Sequence, residues 1–190
     1  MMNFDMKWQS YKWRAVACIV FGQKQAAIDI FSEMLDEYPN DSYALASKAH
    51  LHAELGEKQE AIALYKRLVA KPDAPAYAWF NLGFMQEEEK QIEDAEFSFR
   101  KAIELDDKID RAWYGLGLVL IQLNKFDEAI KALKHNTKLQ PMSPYAWYQL
   151  ARVHVDRHEP EEAMKIIKHL KGFEPKVAAQ LERETGLKVS

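Results

Sequence analysis

His154 and His158 stand four residues apart, a spacing that puts two imidazoles on one face of a helix, where they could share a metal ion. Such a site needs at least about three ligands, and no third is at hand, so the pair points to packing rather than to a metal. His50 and His52 are two residues apart and fall on different faces of a helix. Cys18 is the only cysteine, which excludes an intramolecular disulfide and suits a small buried apolar side chain in a reducing compartment. A nucleophile beside its base, paired carboxylates in a cleft, or a glycine loop around a phosphate would each identify a catalyst, and none of these constellations emerges. The chain therefore reads as no enzyme, with no cofactor and no metal.

Charge supplies two further candidates. Glu87, Glu88 and Glu89 close a predicted helix at the end where carboxylates oppose the helix dipole. Plain solvation accounts for them, as does the steering of basic residues flanking a bound segment. Lys131, Lys134, Lys138, Lys165, Lys168 and Lys171, with His135 and His169, make two predicted helices basic, either as a solvated outer face or as a site for an acidic partner. The net charge of −3 is too small for a nucleic-acid footprint. The apolar run Ala15 to Phe21 is too short to cross a bilayer and lies in register with a repeat helix, so no signal peptide, no membrane association and a cytoplasmic address are expected.

The elements that position these residues follow from one period. Ala27, Ala61, Ala95, Ala129 and Ala163 recur every 34 residues, and Trp79, Trp113 and Trp147 keep the same spacing. In the third unit Trp79, Leu82 and Gly83 precede Ala95, Phe99 and Ala102, an apolar pattern at helical spacing on each of two helices. Gly22, Gly56 and Asn124 stand in the break between helices and accept the left-handed conformation that ends one; Lys90 and His158 take the same place in the other units. Units end at Pro39, Asp73, Asp107, Pro141 and Pro175.

This resembles the tetratricopeptide repeat family, with its pattern W-x2-L-G-x2-Y, A-x3-F and P. The third to fifth units match through Trp79-Leu82-Gly83, Trp113-Leu116-Gly117 and Trp147-Leu150-Ala151. The first two carry Tyr11 and Leu45 for tryptophan, and Arg14 and Lys48 for leucine. His52 and His154 fill the column of a packing tyrosine. The resemblance implies an all-α, right-handed superhelical solenoid of helix-turn-helix units at about 8–41, 42–75, 76–109, 110–143 and 144–177, forming a single domain over 1–190. Val177, Ala178 and Leu181 predict a capping helix at about 177–185, ending at Gly186. Phe4, Met6 and Trp8 can fold over the first unit or dock onto a second copy of the chain.

A solenoid of this kind implies a protein-interaction scaffold that holds a peptide segment or a protein on a concave surface. By helical phase, and by the family's use of first helices, that surface carries Trp13, Val16, Val20, Tyr43 and His50 in the first two units. Tyr77, Phe80, Asn81 and Phe84 follow, then Arg111, Tyr114 and Leu118, then Tyr145, Tyr148, Gln149 and Arg152. Tyr77, Phe80, Asn81, Arg111 and Tyr114 are its expected centre. Exposed aromatics in this number mark an interaction site, unless neighbouring first helices bury them in one another. Some family members clamp a C-terminal carboxylate. Asn81 and Arg111 resemble part of that clamp, whereas Ala46, His50 and Gly115 occupy places that need lysine, asparagine and arginine. The alternative function is self-assembly through the apolar N-terminal repeat; a regulatory arm of an enzyme is a further one.

Overall fold

The computed structural model describes residues 2–189, with side chains from residue 6 onward. Eleven helices and no strand occur among the described residues: α1 (Met2–Val20), α2 (Lys24–Glu37), α3 (Ser42–Glu54), α4 (Lys58–Val69), α5 (Ala76–Glu88), α6 (Ile92–Leu105), α7 (Asp110–Gln122), α8 (Phe126–Leu139), α9 (Pro144–Asp156), α10 (Pro160–Lys171) and α11 (Pro175–Thr185). They divide into two compact units, one ending at Lys90 and the other beginning at Gln91.

The turns explain why the helices stop where they do. Gly22, Gly56, Lys90, Asn124 and His158 all have φ between 57° and 80°. In this left-handed conformation the next amide reaches back five residues, as in Gln23 to the Cys18 carbonyl at 2.8 Å and Glu159 to the His154 carbonyl at 2.8 Å. Glycine adopts it without strain, while Lys90 and His158 carry the steric cost of a side chain. Starts are set by other residues. The Asp41 carboxylate accepts from the Ala44 amide at 2.8 Å at the head of α3, and Pro144, Pro160 and Pro175 open their helices where no backbone donor is needed.

In the first unit, α1 packs on α2, α2 on α3, α3 on α4 and α4 on α5. Its core holds Phe31, Met34, Leu45 and Leu68, with Ala27 and Ala61 fully buried so that the backbones can approach. Tyr11 and Leu45, the substitutes for tryptophan, are both buried in this core. Arg14, one of the two substitutes for leucine, is exposed and lies 3.6 Å from Glu33. Trp8 packs against the same core and donates from its indole to Asp41 at 2.8 Å, while the Phe4 side chain lies outside the described residues.

In the second unit, the tryptophan column ties each first helix to the turn before it: Trp113 donates to the Asp107 carbonyl at 2.8 Å and Trp147 to that of Pro141 at 3.0 Å. Two glycines let helices touch. A Cβ on Gly117 would sit 2.6 Å from Leu133, and one on Gly115 would sit 2.6 Å from the Phe99 ring. Helix α11 buries Ala178 and Leu181 against Ala151, Ile167 and Leu170, and Gly186 ends it at φ 74°.

Candidate interaction surface

On α5, the spacing of Tyr77, Phe80, Asn81 and Phe84 gathers them on one side. Tyr77 and Phe84 are exposed, and the Phe80 and Phe84 rings stack with centroids 6.5 Å apart. Asn81 is half-buried and hydrogen-bonded to the Tyr65 hydroxyl. Burial pushes the Tyr65 phenol up to about 12, partly offset by that bond with Asn81. On α3, Tyr43 is more enclosed. Its ring lies 5.8 Å from both Trp8 and Phe31, with the Lys12 ammonium 5.2 Å away. His50 is exposed and lies 3.2 Å from Glu54.

In the second unit, α7 exposes Arg111 and half-buries Tyr114 and Leu118, while α9 exposes Tyr145 and Arg152 and half-buries Tyr148 and Gln149. Tyr114 meets Tyr145 edge to face, with centroids 6.5 Å apart. Tyr148 and Arg152 belong to a second cluster. The Tyr148 hydroxyl donates to Glu184 of α11 at 2.5 Å, and Arg152 donates to the Tyr148 oxygen at 3.2 Å and to Glu184 at 3.3 Å. The Tyr148 hydrogen bond, then that of Gln180, holds the Glu184 carboxyl below its ordinary range, so it stands there as a carboxylate. The chain's own last helix thus engages two of the residues read as partner-binding.

Charge and histidine also find partners within the chain. Lys58 of α4 lies 3.2 Å from Glu88 and 3.9 Å from Glu89, and Gln59 donates to Glu89 at 2.6 Å, so the acidic cluster fastens α5 to the start of α4. His52 and His154 each place Nδ1 beside a glutamate five residues on, at 2.5 Å from Glu57 and 2.7 Å from Glu159. Those glutamates are the residues that start α4 and α10. Sequence reading missed this pair, although both members recur together three units apart, which is the signal that could have found it. Among the basic residues, His135 stacks on Trp113 at 4.1 Å, His169 meets Trp147 at 4.5 Å, and Lys165 and Lys171 pair with Glu162 and Glu182. Among the described residues no three of His, Cys, Asp or Glu gather as metal ligands would, and no helix is long and apolar enough to cross a membrane. At Gly115, one of the three places where the carboxylate clamp is incomplete, a Cβ would sit 2.6 Å from the Phe99 ring, which stands in the way of an arginine there.

The family model described as the cilia and flagella-associated protein 70 C-terminal domain matches residues 23–182. The chain belongs to this tetratricopeptide repeat family. Among curated proteins, no sequence matches it. Solved tetratricopeptide repeat structures resemble it closely. A MamA protein structure has a TM-score of 0.84 at 22% identity, covering 96% of this chain and 97% of that one. MamA residues 41 to the end from Desulfovibrio magneticus RS-1 give 0.78 at 21% identity, with coverages of 95% and 98%. YrrB, described as a tetratricopeptide repeat protein with an unusual peptide-binding site, gives 0.81 at 16% identity, covering 89% and 88%. The fold is thus that of the all-α tetratricopeptide repeat solenoids.

Proposed function

We propose that this chain is a non-catalytic scaffold that holds a peptide segment or a protein partner on the aromatic faces of its first helices. The observation that carries this reading is the row on α5, where Tyr77 and Phe84 stand exposed and the Phe80–Phe84 stack presents ring area to solvent. Rigid rings of this kind give wide contact at little entropic cost, and tyrosine is a frequent binding anchor. Arg111, Tyr114, Leu118 and Tyr145 supply the corresponding face of the second unit, with Arg111 a planar donor for a carboxylate or a carbonyl. Asn81 keeps the role of a backbone-holding amide, in exchange for its bond with Tyr65. Tyr43, Tyr148, Gln149 and Arg152 are assigned to the same partner-binding set. YrrB, with its peptide-binding site, supports a peptide as ligand. A photo-cross-linking residue at Phe84 or Tyr145 is expected to capture a protein segment that the same residue at Lys131 does not. Equal capture from Lys131 would remove the basis for this assignment.

A further inference from the structure

Helix α1 buries Tyr11 and Ala15 on one side. Its opposite side carries Met6, Ser10, Trp13, Ala17 and Val20, at alternating steps of four and three residues, which is the seam one helix offers to another. Met6, Trp13 and Val20 are 61%, 64% and 74% exposed. The other four first helices treat these columns differently. Where α1 has Val20 they have Glu54, Glu88, Gln122 and Asp156, and where it has Ala17 they have Leu51, Met85, Val119 and Val153, all buried. Helix α1 alone leaves the packed column open and turns the polar column apolar. Scattered exposed hydrophobes need no explanation, but a continuous stripe marks a surface that is covered in use.

We propose that this stripe is covered by the same stripe of a second copy, the two α1 helices lying antiparallel about a two-fold axis at Trp13. The sequence is balanced about that residue: Met6 and Val20 are each seven residues away, and the small Ser10 and Ala17 are three and four away. A two-fold turn sets Met6 against Val20 of the other copy and seats each indole beside small side chains, the self-complementarity that such an interface demands. Charge permits the contact. Lys7 and Arg14, beside the stripe, already lie 2.5 Å from Glu37 and 3.6 Å from Glu33 of their own chain, and Lys12 rests 5.4 Å from the Trp8 ring. Lys7 and Arg14 therefore come to the contact already paired with carboxylates, while the Lys12 ammonium, also 5.9 Å from the Trp13 ring, lies against aromatic rings of its own chain. None of the α5, α7 or α9 residues assigned to partner binding takes part; Trp13 and Val20, expected from the sequence on the same concave surface, are assigned here to the contact between copies instead.

Sedimentation velocity of the full chain over a wide concentration range tests it. The chain is expected to dimerise, and Trp13→Glu and Val20→Lys are each expected to weaken the dimer by at least about thirtyfold with unchanged helical circular dichroism. Phe80→Ala leaves the dimer intact. In a Cys18→Ser background, mixing Ser10→Cys with Ala17→Cys chains gives the mixed disulfide in preference to either like pair. A chain that stays monomeric, a dimer that survives both charged variants, or preferred Ser10→Cys to Ser10→Cys linkage overturns the proposal.

Discussion

Helix α1 opens the first repeated pair and α11 lies against the last, yet their outer faces are opposites. Helix α11 sinks Ala178 and Leu181 and turns Gln180, Arg183 and Glu184 outward; Glu182 and Glu184 are fastened by Lys171 at 2.8 Å and Tyr148 at 2.5 Å. Helix α1 sinks Tyr11 and Ala15 and turns Met6, Trp13 and Val20 outward. Both inner faces obey the same packing rule, so the difference lies in what each helix shows to water. A polar outer face finishes a stack; an apolar one awaits cover.

The sharpest way to break this contrast is to truncate one residue on each helix. Leu181→Ala removes a fully buried side chain and is expected to cost about 2–5 kcal/mol, whereas Val20→Ala, measured at concentrations where the chain is monomeric, stays within about 0.5 kcal/mol. Similar losses in urea unfolding would erase the distinction. Next comes the packing that every pair shares. Gly117→Leu forces atoms into the space of Leu133, with an expected cost of about 1–3 kcal/mol, and an unchanged melting temperature would refute the close approach.

A pH series compared with a Tyr65 variant probes the first unit. The folded Tyr65 phenol is raised to about 12, above its ordinary value of 10, so the folded state keeps a proton that the unfolded chain gives up. Its contribution is complete below pH 10 and is lost as pH rises towards 12. Tyr65→Phe is expected to flatten that alkaline fall in melting temperature, and parallel slopes in the two proteins would contradict the assignment. A small effect belongs to Glu87, Glu88 and Glu89. Changing all three to glutamine is expected to cost less than about 1 kcal/mol, because Lys58 loses partially exposed partners, and the loss shrinks with added salt. A gain in stability would favour the dipole argument over the ion pairs.

Periodic features were legible in the sequence because each rests on local backbone chemistry. The turns at Gly22, Gly56 and Asn124, and even those at Lys90 and His158, were placed by counting 34 residues. Contacts between repeats were not, because they join columns that a single unit does not show together. Lys58 with Glu88 is such a contact, and Lys24 with Glu54 at 2.9 Å repeats it one period earlier. Gly115 looked like a missing arginine until Phe99 filled its space. The hold of α11 on Tyr148 and Arg152 had no precedent to align, since α11 stands outside the period. Exposure of the α5 rings depends on helical phase, and there Tyr77 and Phe84 face outward while Asn81 turns to Tyr65.

The proposed partner-holding role of the first-helix aromatics is tested most directly by titration calorimetry of the cross-linked segment, once identified, against the parent chain, Phe80→Ala and Tyr114→Ala. The expected result is a loss of about 2 kcal/mol or more in binding for each variant, with melting temperatures near that of the parent. Undiminished affinity in both variants, or unfolding of both, would contradict the account.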